Sequence, residues 1–267
     1  MSDFATRALS YIKGVASDYL DFIEPYISTA GRYVSRANGA CAVTYEYLRL
    51  ATNTLNGFHF ITVIANSKIN VFSKMAGPLD TAQGLVSMIR VIPAIESTIT
   101  LKFIFETDGD GQFVTDDDGN KIVRPVLLIA RDVCFNAARV LSPISWGHRI
   151  GLYDLGKAST GIGISISALY TIGSGIHFYS EVEKFDELWE EYINDECDYV
   201  EVQMQLLQVA NAFVQLLVSP IENGFVHMSK NPIIGAVGHL ANAGAALFDV
   251  FTNALEFYLS THREADN

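Results

Sequence analysis

The chain has 267 residues, 49% of them hydrophobic and only 18% charged, with a formal net charge of −12 and a mean hydropathy of +0.22. That length holds a sizeable core, and the shortage of charge implies deep burial, subunit contacts or contact with lipid. The charge is not spread evenly: residues 106–118 carry −6, residues 181–201 carry −9, and the remainder is +3. Without a basic cluster, nucleic acid is excluded as an expected partner, because phosphate contacts need gathered Lys and Arg.

Phe4, Ala8, Ile12, Val15, Tyr19 and Phe22 repeat at helical period up to Pro25. The N-terminal stretch mixes both charges and has no uninterrupted apolar core, unlike a signal peptide. No N-x-[ST] sequon occurs, and Cys41, Cys134 and Cys197 form no C-x-x-C pair. Together these features predict reduced thiols and an intracellular or non-classically exported protein. Further helices are predicted near 26–34, 43–55 and 58–75, with a break at Asn56-Gly57. The last of these is apolar enough for a membrane surface. Gly77-Pro78 reads as punctuation, and Asp80 with Gln83 as a capping box opening a helix that Pro93 kinks or ends.

From Ile99 to Glu106 the period changes to two, and two Asp- and Gly-rich turn signals follow. This predicts a β-hairpin insertion near residues 99–124 within an otherwise helical chain. Glu106, Asp108, Asp110 and Asp117 fall at ligand positions of an EF-hand-like loop. Position 1 is Glu rather than Asp, and position 12 is Asp rather than a bidentate Glu. No cofactor is therefore expected apart from a weak Ca²⁺ site, and a solvated turn is the simpler reading. The acidic loop is expected to be dispensable for folding.

Pro125 opens a helix that should end at Ser142-Pro143. The following Gly151–Lys157 has the G-x-x-x-x-G-K spacing of a P-loop. It lacks the closing hydroxyl and a preceding strand, so it reads as a linker. Residues 158–180 then form a charge-free run long enough to cross a bilayer. In it Gly163, Ser167, Thr171 and Gly175 lie four apart, a stripe of small residues that lets another backbone come close. These four are the expected helix interface, with the 235–246 segment or a second copy as partner. Ser180 and Glu183 form a capping box predicted to open a new helix, bent near Asn194-Asp195 and ended at Ser219-Pro220. Asn231 and Pro232 have the pattern of a cap and first turn for the last helix.

The six histidines show no metal-ligand spacing, and no nucleophile elbow is complete. The expected architecture is one helical domain over 1–267: mainly α, a multi-helix bundle with the small insertion. The expected function is a non-enzymatic interaction or scaffold protein working through helix packing with a protein partner or itself, with a membrane surface as a further partner. Two alternatives stand beside it: a soluble helical enzyme or ligand carrier with a pocket between helices, and an integral membrane protein with spans near 158–180 and 232–259.

Overall fold

The computed structural model describes residues 44–66, 70–108, 112–116, 118–194, 196–220 and 231–266. The expected helices before residue 43 lie outside them. Among the described residues the chain is mainly helical and has no sheet. Six helices follow one another: α1 (44–64), α2 (Val71–Ile99), α3 (Val126–Arg149), α4 (Ala158–Ile193), α5 (Tyr199–Pro220) and α6 (Pro232–Asp266).

Several of these helices run through the residues expected to stop them. α1 continues past Asn56-Gly57, α2 contains Pro78 and Pro93, and α3 contains Pro143. Ser180 is buried mid-helix in α4 rather than capping a new one; the chain leaves the helix only after Ile193. Local breaker chemistry was overridden by packing along the whole length of each element. The start of α6 follows the local rule, since Asn231 Oδ1 accepts the Ile233 N–H at 2.9 Å.

Neighbouring helices interlock small against large. Gly57 of α1 faces Leu240 of α6, and Gly235 of α6 faces Phe60 of α1; a Cβ at either glycine would stand 2.7–2.8 Å from its neighbour. Gly84 of α2 lies directly against the indole of Trp146 in α3. α4 packs between α3 and α5, and α5 in turn packs on α6. The α4–α5 pair is antiparallel: Ser174 meets Ser219 (2.9 Å), and further along Gln205 Nε2 donates to Glu181 Oε2 (2.9 Å).

Among the described residues no strand forms, so the β-hairpin expected near residues 99–124 is not supported. Ile99 finishes α2, residues 100–104 turn, and Leu101 sits at φ +56°. Three isolated antiparallel bridges follow, Phe105–Val123, Thr107–Phe113 and Thr115–Lys121. Each pairing lasts one residue before the chain turns away, so no ladder grows. Instead the backbone closes a three-way ring. Val114 N–H donates to Glu106 O (3.0 Å), Ile122 N–H to Val114 O (2.9 Å), and Glu106 N–H to Ile122 O (2.9 Å).

The ring rests on an eight-residue repeat in which Phe105, Thr107, Asp108 and Gly111 recur as Phe113, Thr115, Asp116 and Gly119. Asp108 and Asp116 play one part twice. Their Oδ1 atoms accept the backbone N–H four residues on, from Gln112 and Asn120, each at 2.8 Å. Phe105 is fully buried against Ile104, with Phe113 edge-on to it at 5.9 Å between ring centroids. Asp108, Asp116 and Asp118 are thus exposed while the phenylalanine behind them is packed. Phe113→Ala is expected to lower stability by about 2 kcal/mol or more, whereas Asp116→Ala costs about 1 kcal/mol. Thermal unfolding of the two variants checks the order, and equal effects would mean that Phe113 contributes no packing.

Candidate functional site: a polar chamber within the bundle

The structure places the four sequence-predicted interface residues in different surroundings. Ser167 Oγ reaches Pro220 O of α5 at 3.5 Å, and a Cβ at Gly175 would make ordinary contact with Leu216. Thr171 Oγ1 donates back to Ser167 O within α4 at 2.8 Å. Gly163 meets nothing at close range and borders a cavity. The tightest small-residue contacts of α4 lie in the same turn but on other sides of the helix. Gly173 sits under Phe135, and Ser174 meets Ser219. α4 and the 235–246 segment face each other across the same cavity, which Ile166 and His239 both line.

Of the four acidic residues proposed for Ca²⁺, Asp110 and Asp117 lie outside the described residues. Glu106 contributes its backbone to the three-way ring, and Asp108 holds its own loop closed. No group of three or more His, Cys, Asp or Glu side chains among the described residues is arranged to hold a metal ion. Cys134 and Cys197 are half-buried free thiols.

The cavity that Gly163 borders has a volume of about 730 Å³ and lies among α1, α2, α3, α4 and α6. Each helix brings one polar face to it. From α1 come Thr52, Asn53, Asn56 and His59; from α2, Ser73, Asp80, Gln83 and Ser87. Within each helix these positions fall three, four or seven apart, except for the adjacent Thr52 and Asn53, so they share a side of it. Ser142, Ser145, Trp146 and Arg149 arrive from α3, Ser159 and Thr160 from α4, and His239 and Asn242 from α6.

Hydrogen bonds orient part of this lining. Asn53 Nδ2 donates to Arg49 O at 2.9 Å, which leaves its Oδ1 to accept from His239 Nδ1–H at 2.8 Å. The ring of His239 also stacks on Phe60. Asp80 and Arg149 pair across the α2–α3 junction at 3.1 Å. Four polar atoms of the lining are buried without a hydrogen-bond partner: Thr52 Oγ1, His59 Nδ1, Trp146 Nε1 and Asn242 Oδ1.

Nearby charges are shaped by burial. Glu46 bridges Arg49 at 3.1 Å and Arg90 at 3.9 Å; desolvation nevertheless holds its carboxyl above the usual range. A second cavity of about 470 Å³ is lined by Arg131, Asp132, Arg139 and His177, and burial lowers the Arg139 guanidinium.

The exterior has the opposite character. Ile172, Leu206, Leu247 and Val237 are each more than half exposed, while Ser174, Asn242 and Thr252 are buried. Between α5 and α6, Asn211 Nδ2 donates to Asp249 Oδ1 at 2.8 Å, and Gln208 Nε2 to Glu256 Oε1. Three described helices are long and apolar enough to cross a membrane: Ala158–Ile193, Tyr199–Pro220 and Pro232–Glu256.

Sequence reasoning picked out the segments of the first and last of these helices as long and apolar enough to cross, and missed the chamber. Its signal was present as Thr52, Asn56 and His59 on one face of an apolar helix, yet such a face is read as a site only once other helices close over it. Comparison with protein-family models, with curated proteins and with solved structures returns no match.

Proposed function

We propose that this is a membrane-embedded helical bundle acting without catalysis, as an interaction or scaffold protein whose outer apolar faces meet lipid or a second copy of the chain. The observation that carries the reading is the inverted arrangement of the bundle. Large apolar side chains point outward along the three candidate spans, and amides, hydroxyls and carboxylates pair between helices. In water that arrangement exposes the side chains that burial would stabilise most. In lipid it is the favourable one, since helices associate there through small residues and polar pairs.

Asp249 and Glu256 count against a span read from sequence alone. Here both are answered by an amide of α5, as intramembrane acids require.

Alkaline carbonate extraction of cells expressing the full chain tests this. The protein is expected to stay with the membrane pellet and to leave it only in detergent. Release into the carbonate supernatant as a discrete soluble species would overturn the membrane reading.

A further inference from the structure

We infer that the smaller cavity, between α2, α3 and α4, binds a short dicarboxylate held at its two ends by Arg131 and Arg139. This cavity measures about 470 Å³ and shares no lining residue with the larger chamber. Arg131, Phe135 and Arg139 recur every four positions along one side of α3, and all three line it. Both arginines keep accessible surface: the Arg131 side chain is 18% exposed, and Arg139 is half-buried.

The donors of the two guanidinium groups are largely unspent. Arg131 gives its Nε–H to Asp132 Oδ1 at 2.8 Å, and its terminal nitrogens have no partner among the described residues. Arg139 has neither a hydrogen bond nor an ion pair among them. Burial disfavours its charged form, and a desolvated guanidinium that stays charged needs a counter-charge.

The acids around this wall are already committed. Asp132 Oδ2 accepts from Arg124 Nη1 at 2.6 Å, so one carboxylate answers two arginines. Glu96 pairs with Lys102 at 2.8 Å, and Glu181, beside His177, pairs with Lys184 at 2.9 Å. Arg90 stands close enough to repel Arg139 and shares Glu46 with Arg49. One positive charge is left over at the Arg131 end and one at the Arg139 end. The two residues are two turns apart, about 12 Å along the helix axis, with Phe135 between them. A single phosphate or sulfate would put both negative charges at one point. A dicarboxylate separates them, offers each guanidinium fork a planar bidentate acceptor, and lays its apolar chain on Phe135. The inference rests on this wall and holds whether or not the outer faces meet lipid.

Isothermal titration calorimetry on the full chain tests it, in a non-ionic detergent and a buffer free of carboxylate and phosphate. The probes are sodium succinate and sodium glutarate, with sodium acetate and sodium sulfate as controls at matched ionic strength. Saturable binding is expected with at least one dicarboxylate, and binding of either control is expected to be at least about tenfold weaker. Arg139→Gln, checked for folding by circular dichroism, is expected to weaken the dicarboxylate about tenfold or more, the effect of losing a hydrogen bond to a charged group. Arg139→Lys keeps the charge and loses the fork; it is expected to weaken binding severalfold, and it decides the matter if the glutamine variant does not fold. Lys157→Gln, at an exposed site away from the cavity, is expected to bind as the wild type does.

Four results overturn the proposal. The first is no saturable binding of either dicarboxylate at millimolar concentration. The second is acetate or sulfate binding as tightly as the dicarboxylates. The others are an affinity unaltered in the folded Arg139 variant, and an equal loss in Lys157→Gln, which would mean a general attraction of anions to the protein.

Discussion

Gly84→Ala is expected to destabilise the bundle by about 3 kcal/mol. The ideal Cβ at this position overlaps the pyrrole edge of the Trp146 indole, at Nε1, Cε2 and Cδ1. Both partners are buried in the bundle, Gly84 in the middle of α2 and Trp146 near the end of α3. Overpacking a filled interior costs about 1–3 kcal/mol, and contact with a rigid ring lies at the upper end. Against this, the intrinsic helix preference for Ala over Gly returns about 1 kcal/mol at most. A double-mutant cycle isolates the contact. In a Trp146→Ala background, itself destabilised, Gly84→Ala should become neutral or stabilising. An equal cost of Gly84→Ala in both backgrounds would show that the glycine is needed for some reason other than the indole.

The second large effect lies on the outer face. Ile172, Leu206 and Leu247, one from each candidate span, are more than half exposed. For a water-soluble bundle, Arg at any of these positions is nearly silent, because exposed substitutions usually stay within about 0.5 kcal/mol. For a bundle in lipid, each Arg near the middle of a span costs about 2.5–3.5 kcal/mol of insertion free energy. Ile172→Arg, Leu206→Arg and Leu247→Arg are therefore expected to reduce the membrane-inserted fraction sharply, and pairs of them to abolish it. Protease protection in sealed vesicles measures that fraction. Unchanged levels and unchanged stability for all three would place these side chains in water.

Some of the fold was legible before any coordinates. The helical period identified most of the elements, because a helix writes its buried face into the spacing of its own side chains. The start of α6 was legible for the same local reason: Asn231 caps the N–H two residues on, and Pro232 needs no donor. The charge-free run and its length were likewise a property of consecutive residues.

What consecutive residues do not encode is which local preference yields to packing. Pro78, Pro93 and Pro143 were expected to punctuate or end helices, and Ser180 to start one. Neighbouring elements instead hold α2, α3 and α4 continuous across them. The alternation from Ile99 to Glu106 matched a strand, yet Leu101 at φ +56° turns the chain inward, and the backbone closes as a ring of single bridges.

By itself, then, the sequence determined a mainly helical protein, short of charge, with two acidic features and two segments long enough to cross a bilayer. The tertiary structure alone decided which faces look inward. Gly163 borders a cavity while Gly173 takes the close contact, and Thr52, His59, Trp146 and Asn242, spread over three helices, meet on the wall of one chamber. The physical reason is that helix periodicity ranks faces only by polarity. Which part of each face is covered follows from how the helices pair, as where Ser174 of α4 meets Ser219 of α5.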